Sequence, residues 1–182
     1  MKDKTAKPNL TMEYEIKDIY KIIDDLIDTS IYQRIFFLGE ISGGITSTDF
    51  WCIEEDDKIS DFVTYEEGNE GTDDKLTADI LEMNQFLTQK NMKNFNQIFI
   101  EYTFQKEEIV ANVALDYFDW PEEGFAMYGV PDYYLSKALG EKYVTNFGME
   151  NVEKMTKYAE SHEAETAFNY QFKNERKDEY EI

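Results

Sequence analysis

The chain is expected to fold as an α+β domain, with an antiparallel sheet of about five strands packed against an N-terminal helix and a central helix and with further helices at the C-terminal end. Two patterns predict this: apolar residues recur at three- and four-residue spacing near the N-terminus, and they alternate with period two between residues 98 and 117. Their order along the chain is helix, three strands, helix, two strands, helices. That order matches segregated layers rather than alternating parallel units.

Ile16, Ile19, Tyr20, Ile23, Leu26 and Ile27 form the apolar stripe of the first helix, and Asp18, Asp24, Asp25 and Asp28 take the other side. Residues 34–41 are rich in strand formers and end at Ser42-Gly43-Gly44, where two glycines allow the positive φ of a hairpin turn. A second strand over 46–53 should return antiparallel. Residues 54–58 read as a charged turn and 59–65 as a third strand. The loop over 66–74 is glycine-containing and acidic, and its Thr72 or Asp73 is placed to cap a helix that presents Leu76, Ile80, Met83 and Leu87 and ends near Asn91. Ile98, Ile100, Tyr102 and Phe104 then alternate with more polar neighbours, as do Ile109, Ala111, Val113, Leu115 and Tyr117 across a short turn, so these two segments should pair antiparallel. Pro121 ends the second of them. A short helix over 133–139 stops at Gly140, and Val152, Met155, Ala159 and His162 keep helical spacing. The organisation expected is a disordered N-terminus over 1–10, the α+β domain over 11–148, and an acidic helix of the same domain over 149–182, frayed at its end.

Charge bounds the function. With 18 Lys and Arg against 39 Asp and Glu, the 182-residue chain carries a formal net charge of -21, yet its 13 Tyr, 13 Phe and 2 Trp can still build a core. Such a polyanion repels nucleic acid and anionic membranes and attracts basic protein surfaces. No apolar run approaches the ~20 residues of a membrane helix, the first ten residues lack the apolar stretch of a signal peptide, and Cys52 is the single cysteine. A cytoplasmic location is expected.

Catalytic signatures are missing: there is no GxxxxGK[ST], GxGxxG, HExxH, CxxC or GxSxG. Cys52, beside Trp51 in a strand, reads as a small core hydrophobe. His162 has no second His or Cys at ligand spacing and reads as an ordinary helix residue. The carboxylates over 66–74 do not follow the calcium-loop pattern, and Asp116 and Asp119 have nothing in the sequence that places them in a shared cleft. The expectation is a protein that is no enzyme and has no catalytic residues, cofactor or metal.

Residues 116–134 differ in kind, because large aromatics and carboxylates coincide there. Asp116, Asp119, Trp120, Glu122, Glu123, Phe125, Tyr128, Asp132 and Tyr133 are the candidate partner-binding residues: aromatics anchor interfaces, and carboxylates meet basic groups. For Tyr117 and Trp120, burial under the sheet weighs equally with contact.

At this point the chain resembles the YezG-like immunity proteins, the family of EsaG-like antitoxins paired with type VII-secreted nuclease toxins. Leu115-Asp116-Tyr117-Phe118-Asp119-Trp120 is similar to the family's strand-ending F-D-Y-x-D-W, and is followed by Tyr133-Tyr134-x-x-Lys137 and Gly140. Upstream, Gly39-Glu40-Ile41-Ser42-Gly43-Gly44 is similar to the family's first hairpin, and an acidic C-terminal helix follows downstream. Residues 94–97 lack the Trp that the family commonly carries before the F-D-Y strand, and the 66–74 loop is unusually acidic. The resemblance implies an antitoxin that binds the nuclease domain of a cognate toxin through a basic toxin surface, with no nucleic-acid or membrane partner. A homodimer in the toxin-free state stays open. Two alternatives stand beside it: a metal-dependent hydrolase using clustered carboxylates, and a DNA mimic that occupies cellular DNA-binding proteins.

Overall fold

The computed structural model describes residues 12–55, 58–61, 71–140, 146–162 and 166–173. The first helix, α1 (Met12–Leu26), buries Ile16, Ile19, Tyr20 and Ile23 along one stripe. Asp28 ends the turn that follows by accepting from Ser30 N at 3.1 Å, which caps a short 3-10 turn over Thr29–Ile31. Strands β1 (Arg34–Ser42) and β2 (Ile45–Ile53) then pair as a hairpin. At its tip Gly43 and Gly44 take φ of 57° and 79°, the left-handed geometry a two-residue connection requires.

Strand β3 (Ile59–Asp61) pairs antiparallel with β2. The expected continuation of this strand to 65 and the 66–70 part of the acidic loop lie outside the described residues, as do residues 1–11 and 174–182, where the two frayed ends were expected. Helix α2 (Thr72–Gln89) buries Leu76, Ile80, Met83 and Leu87. Its cap differs from expectation. Gly71 occupies the N-cap at φ 89° with no side-chain cap; Thr72 and Asp73 are already helical, and Asp73 Oδ1 accepts from Thr48 Oγ1 at 2.7 Å, tying the helix to β2 instead.

Strands β4 (Gln97–Gln105) and β5 (Glu108–Asp116) pair antiparallel as the alternation predicts, with Ile100 opposite Val113 and Ile98 opposite Leu115. After them come a 3-10 turn (Met127–Gly129), helix α3 (Val130–Leu139), closed by Gly140 at φ 98°, and helix α4 (Asn146–Ser161). Here the expectation of one helix over 149–182 is corrected. The helix stops at Ser161, and Thr166–Lys173 forms β6, antiparallel to β5. Phe168, Tyr170 and Phe172 alternate with exposed Ala167, Asn169 and Gln171, a period-two pattern that the helical spacing upstream had masked.

The sheet order is β3-β2-β1-β4-β5-β6. The α+β class stands, and the sheet is one strand wider than expected. Each face has its own core. On one, α1 and α2 cover Ile35, Phe37, Phe50, Cys52, Ile98, Ile100, Tyr102, Val113 and Leu115. Gly39 lets α2 approach this face: a Cβ there would sit 3.0 Å from Ile80 and 3.1 Å from Ile98. On the other face, Phe36, Leu38, Trp51 and Ile53 pack under Phe118, Trp120, Val130, Tyr133, Tyr134, Leu135 and Met155. Cys52 is buried as expected, and burial pushes its thiol up to about 12, which leaves it a hydrophobe rather than a nucleophile.

Candidate partner-binding surface

Residues 116–134 leave the end of β5 and cover the second face, and the sheet itself supplies their anchor. Glu40, Gln97 and Asp116 lie opposite one another on β1, β4 and β5, a buried polar row in an otherwise apolar layer. The Gln97 amide is fully used. Its Nε2 donates to Glu40 Oε2 at 3.1 Å and to the Phe118 carbonyl at 2.7 Å, and its Oε1 accepts from Phe118 N at 3.2 Å. Tyr134 donates its hydroxyl to Asp116 Oδ2 at 2.5 Å, which ties α3 to the same row. Burial pushes the Glu40 carboxyl up to about 7 against the Gln97 hydrogen bond. Replacing Gln97 with Leu keeps the volume but strips partners from two backbone groups and a carboxyl. We expect a loss on the order of 2 kcal/mol or more in urea unfolding.

Above this row an aromatic cluster fixes the segment. Trp120 is fully buried, with ring centroids 4.8 Å from Phe118, 5.3 Å from Tyr133, 5.5 Å from Phe125 and 5.6 Å from Tyr158. A tight turn follows, in which Glu123 N donates to the Asp119 carbonyl at 3.1 Å and Phe125 N to the Trp120 carbonyl at 2.8 Å, with Gly124 at φ 89°.

These placements divide the nine expected contact residues. Asp116, Trp120 and Tyr133 are buried and belong to the core that holds the segment, so the expectation that they touch a partner is corrected. Phe125 and Asp132 are half-buried. Phe125 packs on Trp120 and Tyr158; Asp132 sits in the first turn of α3, where its carboxylate suits the helix N-terminus while burial raises its pKa. Asp119 is half-exposed, Glu122 and Glu123 are exposed, and Tyr128 is 78% exposed.

Two residues that the sequence reading assigned to no surface join this patch from α4. Tyr158 packs edge-on against Phe125 at 6.1 Å, and His162 stacks on Tyr158 at 4.1 Å. Burial, then a hydrogen bond to Glu123, raises the Tyr158 hydroxyl pKa. A Cβ at Gly129 would meet the terminal amide of Asn151 on α4, so a larger residue there would turn that side chain aside. The sequence signal was present as helical spacing from Val152 to His162, but spacing alone does not say which turn of a helix faces which loop.

The chain matches no protein-family model and no curated protein. Among the described residues no group of three or more His, Cys, Asp or Glu is arranged to hold a metal ion, and no helix is long and apolar enough to cross a membrane. What the arrangement offers chemically is an exposed phenol and exposed carboxylates on one segment whose base is locked by a buried indole.

Proposed function

We propose that this protein is an immunity protein that neutralises a nuclease toxin by stoichiometric binding, with Glu122, Glu123, Asp119 and Tyr128 meeting a basic toxin surface. The observation that carries the reading is the exposure of Tyr128, Glu122 and Glu123 on one segment anchored by Trp120 and Gln97. A contact surface that is already ordered loses little entropy on binding, and a segment that carries both an exposed aromatic and exposed charge has the composition of an interface hot spot. The net charge of -21 supports it further, because a nuclease must present basic groups to phosphate. The sequence resemblance to the YezG-like immunity proteins points the same way.

Co-expression with a candidate nuclease toxin from a neighbouring reading frame tests the proposal. Growth should be restored by this protein, and failure to relieve toxicity would remove the reading. Kinetics then locate the surface. Glu122→Gln with Glu123→Gln should slow association and flatten its dependence on salt, since exposed charge acts on encounter. Tyr128→Ala should instead speed dissociation by the equivalent of ~2 kcal/mol. Stopped-flow binding to the purified nuclease domain at two salt concentrations reads both, and unchanged rates in the two variants would place the contact elsewhere. Tyr128 is a cleaner probe than Phe125, whose removal would also loosen the Trp120 cluster.

A further inference from the structure

The helices on the opposite face of the sheet carry a second group of acids that the proposed binding surface does not use. Glu15 of α1 is 1% exposed and Asp79 of α2 is 6% exposed. Both oxygens of the Glu15 carboxyl, and Oδ2 of Asp79, are buried without a conventional hydrogen-bond partner. What they face is other acids. Glu82 of α2 acts on the Glu15 carboxyl and Asp18 of α1 on that of Asp79, so each buried acid faces a like charge from across the seam between the helices. Tyr14, on the same end of α1, feels all four acids. From the sheet below, Tyr102 gives its hydroxyl to the Ile16 carbonyl at 2.7 Å, so that donor is committed.

Two carboxylates cannot hydrogen-bond each other. Glu15 and Asp79 must therefore each hold a proton, because a buried charge facing like charges with no donor costs far more than protonation. We propose that the seam between α1 and α2 is closed with protons retained on the buried, unpartnered carboxyls of Glu15 and Asp79, which makes the docking of α1 a proton-dependent latch. Burial first, and then the neighbouring acids, hold both the Glu15 and Asp79 carboxyls well above the ordinary carboxylate range.

The sign follows from linkage. The unfolded chain releases these protons near pH 4, whereas the folded chain keeps them. The contribution to stability is therefore complete below the unfolded value and declines as pH rises toward the folded one. Each retained proton lowers the folding equilibrium constant roughly tenfold per pH unit over that interval.

Urea unfolding of the full chain at pH 5, 6 and 7 tests the latch, comparing the parent with Glu15→Gln, Asp79→Asn, the double variant and the exposed control Glu13→Gln. Each of the two seam variants should take roughly a factor of ten per pH unit out of the parent's decline, and the control should change nothing. Carboxyl-detected NMR of the parent keeps the test decisive even if a variant fails to fold. Glu15 and Asp79 should stay protonated at pH 6. Titration of both near pH 4, or amide variants with the parent's full pH slope, would overturn the proposal.

Discussion

Trp120→Ala is expected to destabilise the protein by about 3–5 kcal/mol, the range for truncating a large buried aromatic. The indole is fully buried and touches four other rings, so its loss leaves a cavity that the α3 and α4 side chains can only partly fill. Its Nε1 is buried without an acceptor, which means the site gains apolar contact from the ring and nothing from its N–H. Trp120→Phe should therefore cost much less than Trp120→Ala, because it keeps most of the contact and removes an unsatisfied donor. Urea unfolding of the two variants gives the comparison. Equal losses would show that the indole matters for something other than packing. Because Trp120 supports the turn that carries Glu122 and Glu123, the Ala variant should also lose partner affinity, through disorder of the surface rather than through a lost contact.

Val113→Asp should destabilise the protein by about 3–5 kcal/mol, the cost of a buried charge with no partner. Val113 lies between Ile100 of β4 and Phe168 of β6, in the core under α1 and α2, and no nearby group is placed by register to receive a carboxylate. Asn112, one residue earlier, points to the other face and is exposed. Asn112→Asp should change stability by no more than about 0.5 kcal/mol. Both variants place the same acid on the same strand, and they differ in the side chain replaced and in its burial. The Val113 loss should shrink at low pH, where the introduced acid is neutral. Equal effects at 112 and 113 would mean that the β5 register is misassigned.

The residues that repeat with a period determined most of what could be read without a structure. Period 3.6 in α1 and period two in β4 and β5 each name one face of an element, and burial follows the named faces. The Gly43-Gly44 turn and the Gly140 stop are equally local, because positive φ is a property of one residue and its neighbours. β6 was legible too, in the alternation of Phe168, Tyr170 and Phe172, but it adjoined a helical pattern and was absorbed into it.

The division of the 116–134 segment was decided only by tertiary structure. Composition put nine aromatics and carboxylates forward with burial weighed equally against contact for Trp120, and nothing in their spacing decides that the fold buries Trp120 and leaves Tyr128 in water. That choice depends on Gln97, Glu40 and Tyr134, residues up to 78 positions away from Phe118 that seize the segment's backbone and its first carboxylate. The same holds for Glu15 and Asp79. Along the chain they are two of 39 acids on amphipathic helices, and only the packing of α1 on α2 turns them into buried partners, because desolvation is a property of the assembled seam and not of either helix alone.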